Sequence, residues 1–149
     1  MKKILSLLLA VALVGGCGGS QNAVKPSPDD SRECARNFSY DGSFLSGRTF
    51  KDHVFVKGVT QTEAMKRAAR YIASDGWHIS TTNEKLGIIS ASQTVSFGEG
   101  KTAPLNVGFE QVKGGVNLTM SYAISGGVTS PVDAVQKFFC SVTEAVQNK

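Results

Sequence analysis

Two histidines, three cysteines and a scatter of serines are the residues of this 149-residue chain whose types could do chemistry. His53 and His78 lie in no H-x-H, H-E-x-x-H or C-x-x-C arrangement. A metal site usually needs three or four ligands, so no metal is expected. No serine lies in G-x-S-x-G or S-x-x-K, the settings that activate a nucleophilic hydroxyl. The glycines around Gly98 and Gly114 read as hairpin punctuation, because no G-x-x-x-x-G-K-[ST] phosphate loop exists. The expectation is a non-enzymatic chain without cofactor, in which the cysteines carry the covalent chemistry.

The first cysteine sits behind a distinctive leader. Lys2 and Lys3 precede an apolar run from Ile4 to Val14, broken by Ser6. That run is shorter than the ~20 residues needed to span a bilayer. A basic start, a short apolar stretch and small residues describe a secretory signal. Val14-Gly15-Gly16-Cys17 resembles the lipobox of bacterial lipoproteins. The resemblance implies thioether lipidation of Cys17, cleavage after Gly16 and an acylated mature N-terminus, with two or three chains (palmitate among them) inserted in a membrane. One acyl chain alone binds only marginally. Gly18, not Asp, follows the cysteine, similar to outer-membrane sorting in enteric-type bacteria. The expected location is thus the periplasmic side of the outer membrane, or the plasma membrane in a Gram-positive cell. An ordinary signal peptide with Cys17 as bystander is the plainer reading.

Secretion also frames the charge and the other cysteines. The balance of 16 Lys+Arg against 12 Asp+Glu is +4, and loss of Lys2 and Lys3 brings it to +2. Such a domain gives no case for nucleic-acid binding. Cys34 and Cys140 remain as one pair in an oxidising compartment. They read as a disulfide, with two free, partly buried thiols as the other reading.

The positioning elements follow from local patterns. Residues 1–16 are the signal. Residues 17–47 read as lipidated N-terminus, flexible tether and linker, since Gly18 to about Ser31 is Gly, Ser, Asn, Pro and Asp without periodicity. Cys34 to Gly47 is ambiguous, with Phe38, Tyr40, Phe44 and Leu45 among small polar residues. Residues 48–149 read as one α+β domain. Arg48 to Val59 is a strand. Thr60 to Glu63 is a capping box opening a helix to about Asp75, with Ala64, Met65, Ala68, Tyr71 and Ile72 on one stripe and Gly76 as its stop. Strands follow at Trp77–Thr82, Ile88–Phe97 and Leu105–Phe109, and Val116 to Ile124 alternates cleanly. Ser130 and Pro131 open a last helix with a stripe of Val135, Phe138, Phe139, Val142 and Val146. Cys140 falls roughly 140° from Val135 at 100° per residue, off that stripe, where a segment carrying Cys34 could meet it.

The expected order is β-α-β-β-β-β-α: one antiparallel sheet of about five strands with two helices on one face. This is similar to TATA-binding-protein-like and helix-grip folds. Through Ala64/Ala68, Gly76-Trp77 and Leu86-Gly87-Ile88 it resembles the domains of the C subunit of the β-barrel assembly machinery, which implies an envelope-protein partner.

Two surfaces are candidates for binding. Lys66, Arg67 and Arg70 form a basic patch on the first helix, suited to anionic headgroups or an acidic partner; a solvated helix face is the plainer reading. The uncovered sheet face is expected to present His78, Ser80, Thr82, Asn106, Glu110, Asn117, Thr119 and Ser121. Its hydroxyls and amides can pair with a partner without desolvating charge. The leading expectation is a lipid-anchored protein-interaction domain, an accessory in envelope assembly. The alternative is a small apolar ligand or lipid held between helices and sheet, in a cavity lined by Trp77, Phe109, Met120 and Phe138.

Overall fold

The computed structural model describes residues 22–23, 30–95 and 100–148. The leader, Cys17 and most of the expected tether lie outside these residues. In chain order the elements are β1 (Asn22–Ala23), α1 (Glu33–Asn37), β2 (Ser39–Ser43), β3 (Gly47–Lys57), α2 (Gln61–Ser74), β4 (His78–Asn83), β5 (Ile88–Thr94), β6 (Thr102–Val112), β7 (Gly115–Ile124) and α3 (Val132–Gln147). All strands pair antiparallel in one open sheet of order β1-β2-β3-β7-β6-β5-β4. The expected core order, β3-α2-β4-β5-β6-β7-α3, is present. The expected count of five strands and two helices is corrected: among the described residues six strands have five or more residues, β1 adds a two-residue edge, and there are three helices. The additional elements come from the stretch read as tether and linker. That stretch lacks a periodic signal, and its described elements are set by contact with the rest of the chain.

Alternation sets the two faces of the sheet. On β3, Phe50, Val54 and Val56 point inward while Lys51, His53, Phe55 and Lys57 point out. On β7, Val116, Leu118, Met120, Tyr122 and Ile124 are buried. The helices cover this inner face. α2 begins with one half of the expected capping box: the Thr60 hydroxyl accepts from the Glu63 N–H at 3.3 Å, while the Glu63 carboxylate accepts from Arg67 Nε at 2.9 Å. It ends at Gly76, whose φ of +90° suits glycine, with Trp77 N–H donating to Ile72 O. α3 starts one residue later than its sequence suggests. Pro131, not Ser130, is the N-cap, and no side chain caps the helix.

Aromatic rings join the layers. Phe38 stacks on Phe50 at 6.0 Å and meets Phe139 edge-on at 5.6 Å. Trp77 stacks on Phe138 at 5.2 Å and meets Tyr122 edge-on at 5.3 Å. Such pairs contribute about 0.5–1.5 kcal/mol each beyond their buried area. Phe38, in the segment read as linker, is fully enclosed.

Cys34 and Cys140 form a disulfide, with Cα atoms 5.2 Å apart and 106 positions between them in sequence. The chain-entropy account gives roughly 4–5 kcal/mol for a loop of this size. Cys140 is off the Val135 stripe yet fully buried, because α1 covers it.

Candidate interaction face

Among the described residues no helix covers the outer face of the sheet, and register places its residues in rows. One row runs Thr81, Ser90, Asn106, Ser121, Lys51 and Ser39 across six strands. The next runs Asn83, Ile88, Gly108, Thr119 and His53. Glu110, Asn117 and Phe55 lie beyond it. Within these rows the Ser90 hydroxyl donates to Asn106 Oδ1 at 2.8 Å, and Asn117 Nδ2 donates to Glu110 Oε2 at 3.2 Å.

Six of the eight residues expected on this face are there: His78 (opposite Ser92), Asn106, Glu110, Asn117, Thr119 and Ser121. Ser80 and Thr82 depart from the expected alternation. β4 has a bulge between Ile79 and Thr81, which adds a residue and reverses the alternation after it. Ser80, at the bulge, donates its hydroxyl to Ser90 O at 3.1 Å. Thr82 pairs with Ile89, a buried residue, and so belongs to the helix side; Thr81 takes the outer position.

The face is less uniformly polar than its alternation suggests. Lys51, Ile88, Asn106, Gly108, Thr119 and Ser121 line a groove of about 510 Å³. Its origin is Gly108, where a side chain is missing mid-strand; a Cβ there would lie 2.6 Å from Thr119 Oγ1. Phe55 and Ile88 are 39% and 38% exposed on the same face. Sequence reasoning missed Lys51, Phe55, Ile88 and Gly108. Phe55 was visible as an aromatic residue out of phase with Phe50, Val54 and Val56.

The basic patch does not hold together. Arg67 turns toward the end of α3, where Nη1 donates to Val146 O at 3.0 Å and Asn148 O at 3.1 Å. Its Nε pairs with Glu63 at 2.9 Å, and this bond, with the positive charges of Arg67, Lys66 and Arg70, holds the Glu63 carboxyl below its usual range. Lys66 and Arg70 remain exposed.

Two other features have chemical character. Trp77 and Phe138, with Asp75, Gln93, Tyr122 and Ser130, line a solvent-open cleft of about 150 Å³. Phe109 and Met120, the other residues expected to line a ligand cavity, are buried in the core and do not line it. Ligand pockets usually run to about 300–1,000 Å³.

The second feature is the edge of β3 beyond β2. Asp52 is buried on the inner face, and its Oδ1 accepts from His53 N–H at 2.7 Å. Asn37 Nδ2 donates to His53 O at 2.7 Å, and Glu33 Oε1 accepts from Phe55 N–H at 3.3 Å. Side chains thus take the place of a neighbouring strand. Asp52 Oδ2 is buried and has no hydrogen-bond partner among the described residues. Burial pushes the Asp52 carboxyl up to about 7, with the Glu33 charge adding to the rise and the His53 bond opposing it. Among the described residues no group of three or more His, Cys, Asp or Glu is placed to hold a metal ion, and no helix is long and apolar enough to cross a membrane.

No protein-family model matches this chain, and no curated protein matches it significantly.

Proposed function

We propose that this chain is a bacterial lipoprotein that is acylated at Cys17 and holds a small, non-catalytic protein-binding domain at a membrane surface. The outer membrane is the favoured location because Gly18 follows the cysteine. The proposed role is that of an accessory in envelope assembly, with another envelope protein as partner. The observation that carries this reading is the bare outer face: rows of small hydroxyl and amide side chains around a groove opened by Gly108. Such a surface offers hydrogen bonds with little charge to desolvate, and its carbon-lined groove supplies apolar contact.

The test is site-specific photo-cross-linking in intact cells, with the reactive residue at Thr119 or Asn106 and a control at Lys66 on α2. The expected result is a discrete protein adduct from both sheet positions, none from Lys66, and loss of the adduct when Cys17→Ala releases the chain from its membrane. Absence of adducts from the sheet face, or equal adducts from Lys66, overturns the reading.

A further inference from the structure

Phe44 and Leu45 form the tip of the β2–β3 hairpin and are 48% and 86% exposed. Turns are normally built from Gly, Pro, Asn, Asp and Ser, so two adjacent large apolar residues need a reason. The tip is firmly built. Ser43 N–H donates to Ser46 Oγ at 3.1 Å, Ser46 N–H donates to Ser43 Oγ at 3.2 Å, and the two hydroxyls are 2.9 Å apart. Gly127 N–H donates to Phe44 O at 2.8 Å. Gly126 permits that approach, since a Cβ there would lie 2.1 Å from Leu45 O. The hairpin therefore bonds much of its own backbone while projecting the two apolar side chains. That reduces the cost of moving it out of water.

Chain direction turns the entry into β1 toward the same end. Asn22 pairs with Tyr40 and Ala23 with Ser39, antiparallel. β2 runs from Ser39 to Ser43 toward the tip, so the chain enters β1 from the tip side. Cys17 precedes Asn22 by five residues. By covalent geometry it lies within about 18 Å of Asn22, whatever path those residues take. Tyr40 to Ser43 spans only about 10 Å of strand. From Gly42 to Gly47 no residue is charged. Arg48, just behind the tip, is half-buried with its guanidinium over the Tyr40 ring at 5.7 Å, and Asp41 pairs with Lys51 at 3.7 Å. The turns at the far end of the sheet carry Glu84, Lys85 and Lys113, with a single large apolar residue, Leu86, exposed beside them.

We propose that the Phe44–Leu45 tip inserts into the headgroup region of the bilayer that holds the acyl chains of Cys17. The domain then stands on this end, and its outer sheet face is presented sideways to the membrane plane. This rests on the acyl-anchor reading above. The occupant of the apolar tip is lipid, and tip and anchor form one two-point attachment.

The experiment uses the full chain, processed in a bacterial host and reconstituted into phosphatidylethanolamine–phosphatidylglycerol vesicles, with the mass of the N-terminal peptide reporting acylation of Cys17. Leu45→Cys and Leu86→Cys are each labelled with a small fluorophore. Both positions are largely exposed, at 86% and 68%, so the fold is retained. Lipid-borne spin labels near the headgroup should quench the label at position 45 at least about twofold more than that at 86, as for apolar groups lying a few ångströms into the interface. With Cys17 acylated, no quenching at 45, or quenching no stronger than at 86, overturns the proposal and leaves the anchor standing. An unmodified Cys17 overturns the anchor reading and the proposal with it.

Discussion

Asp52 is the residue whose chemistry departs furthest from its type. Its carboxyl is buried, gives one oxygen to the His53 N–H and lies near Glu33. Its folded-state pKa is raised to about 7 from an ordinary value of 3.8. The folded chain therefore binds this proton more tightly than the unfolded chain. The stability contributed by the proton is fully present below about pH 4 and is lost as pH rises through 7. We expect the wild-type melting temperature to fall between pH 5 and pH 8 relative to Asp52→Asn, which has no such titration. A difference of 1 kcal/mol corresponds to about 4 °C in a domain near this size, well within the reach of circular dichroism. Arg67 makes a different point. It was legible as one member of a basic patch, but its fork caps α3. Arg67→Ala should lower the urea midpoint by the equivalent of about 1.5–3 kcal/mol, the range for hydrogen bonds to a charged donor. Lys66→Ala should change it little, because its side chain is exposed.

At the scale of elements, the parts with strong local signals formed as their residues dictate. α2 has a cap, an apolar stripe and a glycine stop. β7 alternates from Val116 to Ile124. The parts without such signals were decided by contact. α1 has five residues, too few for a helix that stands alone. It is held by the disulfide and by Glu33 and Asn37 on the β3 edge. Replacing Cys34 and Cys140 with alanine should cost roughly 2–5 kcal/mol. It should also loosen α1, so hydrogen exchange should speed at the Phe55 N–H more than at amides in the β6–β7 pairing. Equal protection in both forms would show that α1 holds without its bridge. β4 illustrates a different limit. A one-residue bulge near Ser80 moves Thr82 to the opposite face, and a bulge in a run of His-Ile-Ser-Thr-Thr-Asn leaves no compositional trace.

For the whole molecule, the question is how one bare face and one apolar tip divide the surface. Gly108 offers the cleanest probe of the face. Its side-chain position meets only the movable Thr119 hydroxyl group at close range, so Gly108→Val should leave the fold intact by circular dichroism while filling the groove. We expect it to abolish cross-linking from Asn106; an unchanged adduct would place the contact elsewhere on the face. The α+β order and most of the polar outer face were legible in the residues alone, because short-range periodicity and local caps encode them. The Cys34–Cys140 pairing was favoured by reasoning about compartment and helix angle, but only the fold brought those atoms together across 106 positions. The burial of Phe38, the side-chain bonds along the β3 edge, the groove at Gly108 and the nearness of Phe44–Leu45 to the chain's entry point were decided by tertiary structure. Each depends on which strands become neighbours, and neighbours distant in sequence leave no periodic mark on either partner.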